Sequence, residues 1–200
     1  MPRAQPTEPF DPGRLKVLPL TPERWPDLEA LFGAKGAVGG CWCMWWRIPR
    51  AEYNRQVGEG NRRLFKGIVE RGEEPGLLAY QDDHPVGWCA VAPRETFPGL
   101  ENSRIMKRVD EQPVWSITCF FIPRPYRRRG IMLRLVQEAV KFARERGAAI
   151  VEAYPHEPRD ETVPGEFVFT GLASAFRSAG FIEVARRSET RPLMRWSAGE

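Results

Sequence analysis

Apolar and polar positions along this chain follow two periods, and the switches between them mark out its elements. Leu15–Leu20 is a short apolar run of strand character. Thr21-Pro22-Glu23 follows it, with a capping hydroxyl, a proline for the first turn and an acid behind it, the signature of a helix start. Pro26 makes that first turn irregular or begins the helix proper. The helix runs to about Phe32 and buries Trp25, Leu28, Leu31 and Phe32. A glycine-rich break, 33–40, leads into Cys41-Trp42-Cys43-Met44-Trp45-Trp46-Arg47. A second helical stretch is expected from Ala51 to Arg71, with Leu64, Phe65, Ile68 and Val69 on its apolar side. Gly58 and Gly60 weaken its first half.

Two apolar runs, Gly76–Gln81 and Pro85–Ala92, flank Asp82-Asp83-His84 and predict a hairpin. Residues 94–113 show no period and read as a surface excursion. The almost wholly apolar Val114–Ile122 is the central strand, and Arg127-Arg128-Arg129-Gly130 forms the turn after it. Met132, Val136, Ala139, Val140 and Ala143 then recur at helical spacing up to Gly147, with Lys141, Arg144 and Arg146 near the negative dipole end. Ala149–Tyr154 is the next strand and 156–165 a polar loop. A short helix over 170–179 is closed by Gly180, and Phe181–Arg187 with Pro192–Trp196 form a last hairpin around Ser188-Glu189-Thr190. This order predicts an α/β fold: one domain over 15–200, a mixed sheet and helices on both faces. Residues 1–14, with four prolines, read as a flexible tail. If strands 114–122 and 149–154 are parallel neighbours, their crossover is right-handed.

Composition narrows the setting. Hydrophobic residues make up 42% of the chain, including 7 Trp and 11 Phe, so a sizeable core can form. A net charge of +4, spread apart from Arg127–Arg129, argues against a nucleic-acid partner. No apolar run approaches the ~18 residues of a membrane span, and the N-terminal stretch lacks the pattern of a signal peptide. A cytoplasmic protein without a disulfide framework is expected. Cys89 and Cys119 lie in apolar runs and read as small buried hydrophobes. Cys41-x-Cys43 invites a metal reading, but zinc needs about four ligands, usually with wider cysteine spacing. His84 and His156, the two histidines, are remote in sequence, so no metal is expected.

The chemistry begins at the arginine turn. A buried strand, a basic glycine turn and a helix place unpaired backbone N–H groups and a positive dipole end beside three guanidinium groups. That combination suits a phosphorylated, anionic ligand.

Arg127-Arg128-Arg129-Gly130-Ile131-Met132 resembles the pyrophosphate loop of the GNAT superfamily of acetyl-CoA-dependent N-acetyltransferases, Arg/Gln-x-x-Gly-x-Gly/Ala after a hydrophobic strand. Met132 departs from the small residue of that pattern. The element order over residues 15–196 and the closing Ala179-Gly180-Phe181 extend the resemblance over most of the chain. It implies a mostly antiparallel sheet with one splayed parallel pair, 114–122 and 149–154. It also implies acetyl-CoA as co-substrate, its pantetheine arm on the backbone of Phe120, Phe121 and Ile122. Arg127, Arg128, Arg129, Gly130, Ile131 and Met132 would hold the pyrophosphate. Strand amides near Phe120 would stabilise the tetrahedral oxyanion.

Glu152 is the nearest base by strand position, since strand 114–122 carries no carboxylate. Many members place a tyrosine where this chain has Phe176, to protonate the leaving thiolate; Tyr154 or Ser174 are the available substitutes. The link between the first two helices lines the acceptor pocket in the family. It contains Cys41, Trp42, Cys43, Trp45 and Arg47: an aromatic wall with a cation suited to an acceptor carboxylate. The expected function is acetyl transfer to a primary amine of a small molecule or peptide by direct attack in a ternary complex, with a homodimer as a possible assembly. The alternative is a CoA-binding module without turnover.

Overall fold

The computed structural model describes residues 14–158 and 168–198. The strands are β1 (Lys16–Pro19), β2 (Gly76–Gln81), β3 (His84–Pro93), β4 (Trp115–Phe121), β5 (Ile150–Ala153), β6 (Ile182–Arg186) and β7 (Pro192–Ser197). They form one open sheet in the order β1-β2-β3-β4-β5-β7-β6. Every neighbouring pair is antiparallel except β4 and β5. The helices are α1 (Trp25–Phe32), α2 (Arg50–Gln56), α3 (Glu59–Glu70), α4 (Ile131–Arg144) and α5 (Ala173–Ser178).

The two faces are covered differently. α4 lays Ile131, Leu135, Val136 and Ala139 on Ala79, Cys89, Val91 and Ile117, and Phe176 of α5 joins the same cluster. On the other face α1, α3 and the Trp42–Met44 segment pack Trp25, Leu28, Phe32, Trp42 and Phe65 over Leu78, Trp88 and Ala90. A third cluster continues that face with Ala92, Phe97, Leu100, Met106, Tyr154 and Leu193. Removing a large apolar side chain of this kind from water contributes ~1.5–3 kcal/mol.

The β2–β3 hairpin turns on Asp82 and Asp83, both left-handed at φ 48° and 61°, the conformation that two-residue turns between twisted strands demand. His84 thus opens β3 rather than lying in the turn.

Four expectations need correction. The helix expected over 51–71 is two, broken at Val57 and Gly58; the Gly58 N–H donates to the Gly40 carbonyl at 3.0 Å, and Asn61 Nδ2 donates to the same oxygen at 3.2 Å. Tertiary hydrogen bonding to the glycine loop thus overrides helical continuity. The stretch 94–113 is no surface excursion, because Arg94, Phe97, Leu100 and Met106 are buried. It has no period because its buried residues come from separate single turns. Helix α5 starts at Ala173 rather than Thr170, since Gly171 is left-handed and Leu172 extended. Thr21 occupies the cap position, but its hydroxyl accepts from Arg24 at 3.3 Å instead of from a helical amide. Residues 1–13 of the expected tail and 159–165 of the expected polar loop lie outside the described residues. No helix among the described residues is long and apolar enough to cross a membrane.

Candidate functional site

Strand β4 changes character halfway along. Against β3 the register runs Trp88↔Phe121, Cys89↔Phe120, Ala90↔Cys119 and then Val91↔Ile117, so Thr118 is an extra, bulged residue. Against β5 pairing spans only Trp115↔Val151 to Ile117↔Ala153. Bulge and strand separation coincide, which opens a notch beside residues 118–121; bulges re-aim backbone groups in this way next to functional sites. The Phe120 N–H points into the notch and donates to the Phe169 carbonyl at 2.6 Å.

The segment from Phe169 to Ala173 is therefore seated in the notch, and its ties are specific. The Leu172 N–H donates to Met132 Sδ at 3.4 Å. The His156 N–H donates to the Gly171 carbonyl at 2.8 Å, the Ala173 N–H to the His156 carbonyl at 3.0 Å, and Arg191 to the Thr170 hydroxyl at 2.7 Å. Gly171 has φ +90°, and a Cβ there would stand 2.8 Å from the Phe176 ring and 3.0 Å from the Phe120 ring. Only glycine meets both demands. Met132 thus has a partner of its own: its thioether anchors the segment that covers Phe120.

The basic turn lies at the end of the same strand. After a single turn over Arg124–Tyr126, Arg127 is extended, Arg128 is left-handed at φ 60° and Gly130 caps α4 at φ 78°. Left-handed residues alternating with extended or helical ones curl successive N–H groups toward one point, forming an anion-binding nest. The first turn of α4, Ile131 to Leu133, adds unpaired amides and the positive end of a 14-residue helix. Arg127, Arg128 and Arg129 are exposed, and Arg127 Nε donates to the Ile122 carbonyl at 2.9 Å, which fixes its side chain along the strand end.

Glu152 and Tyr154 sit elsewhere, in a buried ion cluster beyond the closed half of β4. Glu152 is wholly buried and accepts from Arg94 at 2.7 Å, from Arg195 Nε at 2.8 Å and from the Tyr154 hydroxyl at 2.6 Å. Arg94 also reaches Tyr154, Glu101 and the Met106 carbonyl, and Arg195 forks onto Asp110 at 2.6 and 3.1 Å. Ser116 and Tyr154 hydroxyls are 2.9 Å apart. Burial, and next the Glu152 charge, push the Tyr154 hydroxyl well above its ordinary pKa. A carboxylate held by two guanidinium groups and a phenol that resists ionisation fit a frame better than proton transfer. This cluster pins 94–113 to the sheet. Ser174 is exposed on α5.

The acceptor segment divides likewise. Trp42 and Cys43 are buried, Trp42 stacked on Trp25 at 5.9 Å. Arg47, expected to meet a carboxylate, is buried over the Phe97 ring at 4.4 Å, and burial lowers its pKa to about 10. Trp45 is exposed, with the Arg50 guanidinium 3.1 Å over its ring, and Cys41 is half-buried. Trp45, Trp46, Pro49 and Arg50 form one wall of an open cavity of about 420 Å³, with Pro98, Asn102 and Ser103 opposite. Sequence reasoning missed Arg94, Arg195 and Phe169. A usable signal existed for the ion cluster: Glu152 and Arg195 are opposite charges inside two apolar strand runs. No group of three or more His, Cys, Asp or Glu among the described residues is placed to hold a metal ion.

A bulged strand splayed from its parallel neighbour, followed by a nest at a helix N-terminus, is the architecture of acyl-CoA-dependent transferases. The acetyltransferase (GNAT) family model matches residues 42–163, and the chain belongs to that family. Among solved structures, a GNAT-family acetyltransferase from Streptococcus agalactiae superposes with a TM-score of 0.55 at 12% identity, over 93% of this chain and 96% of that one. Ribosomal-protein-alanine N-acetyltransferase from Brucella melitensis gives 0.52 at 18%, over 92% and 99%. The PaiA N-acetyltransferase of Thermoplasma acidophilum, in complex with coenzyme A, gives 0.50 at 16%, over 92% and 99%. At these identities the likeness is one of fold. No curated protein sequence matches the chain.

Proposed function

We propose that this acetyltransferase moves an acetyl group from acetyl-CoA to a primary amine by direct attack within a ternary complex. The observation that carries the reading is the adjacency, on one strand, of an inward-facing amide at Phe120 and the arginine nest at 127–132. In this reading the nest and the first turn of α4 hold the pyrophosphate, and the pantetheine arm runs back along Ile122 and Phe121. The thioester oxygen takes the Phe120 N–H, displacing the Phe169 carbonyl. Attack by the amine forms the C–N bond through a tetrahedral oxyanion at that amide. The C–S bond then breaks, the CoA thiolate takes a proton from water, and the amine proton also passes to water.

The exposed face of Trp45 and the adjoining cavity supply the acceptor surface. Its volume lies within the range of small-molecule sites. The Arg50 cation above Trp45 favours acceptors that carry an anionic group away from the amine. Buried Trp42, Cys43 and Arg47 then shape the loop from beneath rather than touching the acceptor.

The test combines calorimetry with acetyl-CoA and a thiol-release assay over a panel of amines. Binding with turnover on at least one amine is expected, and Trp45→Ala should shift the preference among amines while leaving acetyl-CoA affinity within about twofold, under ~0.4 kcal/mol. Binding without turnover would point to a CoA-binding module. A Trp45→Ala variant that loses acetyl-CoA affinity but keeps its amine preference would remove Trp45 from the acceptor side.

A further inference from the structure

The sheet face that carries α1 also holds a cluster of thiols that acetyl transfer does not use. Cys43 Sγ accepts the indole N–H of Trp88 at 3.0 Å, and Cys119, whose thiol donates to the Phe120 carbonyl at 3.9 Å, packs against the same cluster beside that sulfur. Cys43 is 7% exposed, and Cys41 and Cys119 are half-buried, so the cluster lies at the rim of the core. Cys89, by contrast, is fully buried.

The backbone that delivers Cys43 is strained. Trp42 and Cys43 are consecutive left-handed residues, φ 41° and 56°. Such conformations are unfavourable for residues that carry a Cβ and persist where the surroundings over-determine them. Here Trp42 is clamped between Trp25 and Phe32, with ring centroids 5.9 and 5.5 Å away, and the strained turn directs the next side chain into the sheet. Simple packing would be served by any small apolar residue. An indole N–H donor, a second thiol and the nearby Arg47 charge instead converge on this one sulfur.

We propose that Cys43 and Cys119 form a reversible disulfide, an oxidation-sensitive modification site that staples the 41–47 segment to the open half of β4. The oxidant class is a peroxide. The Cys43 thiolate attacks one peroxide oxygen; the O–O bond breaks, giving a sulfenic acid, and the leaving hydroxide takes a proton to become water. Cys119, giving up its proton, attacks the Cys43 sulfur, the S–O bond breaks and a second water leaves. Two hydrogens and two electrons pass from the thiols to the peroxide, and a dithiol reductant returns them. Burial works against ionisation of Cys43, but the Cys119 thiol and the Trp88 indole N–H with the Arg47 charge outweigh it and lower the thiol's pKa. Cys119 is pushed well up, first by the neighbouring Cys43, so the pair keeps one proton and one nucleophile. None of this depends on which donor the enzyme uses.

The experiment is peptide mapping, without reduction, of the reduced full-length protein after hydrogen peroxide. The expected product is a Cys43–Cys119 cross-link, two hydrogens lighter than the separate peptides and reversed by dithiothreitol, with Cys89 unmodified and Cys41→Ser forming the same link. In Cys119→Ser, Cys43 should stall as a sulfenic acid that a dimedone-type probe captures, whereas wild type is labelled at least tenfold less. A Cys41–Cys43 link, peroxide leaving every thiol free, or equal probe labelling in wild type and Cys119→Ser would each overturn the proposal.

Discussion

The two halves of β4 are made by the same few residues of apolar sequence and end in opposite states. From Trp115 to Ile117 the strand is paired on both edges, and Ser116 leans on Tyr154 and through it on the buried Arg94–Glu152–Arg195 cluster. From Cys119 to Phe121 one edge has lost its strand partner, and the Phe120 amide is met by a loop carbonyl. The first half is fixed by charges that cannot leave without exposing others. The second is covered by the Phe169 carbonyl, on a segment tied in turn to the Met132 thioether, neutral partners that the donor would replace in the proposed reading. A transferase needs both: a strand held still at one end, so that its other end presents backbone groups at a constant position to a donor that comes and goes.

The largest effect should come from breaking the fixed half. Glu152→Ala removes the buried carboxylate that two guanidinium groups share, leaving Arg94 with Glu101 and Arg195 with Asp110 at the more exposed side, and removing one partner of a buried pair costs about 3–5 kcal/mol. Chemical denaturation should show the loss directly, and Glu152→Gln should show most of it. If Glu152→Gln unfolds like wild type while turnover collapses, the cluster is a proton-transfer site and the contrast between the halves is wrong. A smaller effect, of different kind, should come from the turn. Reversing Arg127 and Arg129 to Glu should weaken CoA binding by more than ~1.4 kcal/mol, a tenfold change, with denaturation unaltered. Unchanged affinity in the folded double variant would remove the pyrophosphate from the nest.

The open half was the more legible in sequence. A strand, a basic glycine turn and an amphipathic helix are local signals, and Val114–Ile122, Arg127–Gly130 and the spacing from Met132 to Ala143 carry them without reference to the rest of the chain. The order of elements around them locates β4 and β5. What stayed hidden depends on contacts between distant positions. Glu152 meets Arg94 and Arg195 across 58 and 43 residues, and no local pattern shows that a strand glutamate is enclosed rather than facing a cleft. Phe169 reaches Phe120 through its main-chain carbonyl, a group every residue possesses, so side-chain identity gives no hint of it. The 94–113 stretch failed for a related reason: its buried residues answer to the ion cluster, not to a helical or strand period.

The most delicate way to sharpen the comparison is Gly171→Ala. A non-glycine residue in left-handed backbone costs ~1–2 kcal/mol, and the added methyl would press on the Phe176 and Phe120 rings at 2.8 and 3.0 Å. Both effects act on the seated state of the Phe169–Ala173 segment. Overall stability should fall modestly, by roughly the backbone cost. CoA affinity should rise, because a donor that must displace the segment binds more tightly when its competitor is weakened; the gain is bounded by how far the seated population falls. Met132→Leu makes the same argument more gently, since it keeps the volume but removes the sulfur that accepts the Leu172 N–H. Calorimetry on the two variants should rank Gly171→Ala above Met132→Leu above wild type in CoA affinity. Should both variants bind more weakly, the segment is part of the donor site rather than its occupant, and the open half of β4 would be as fixed as the closed one.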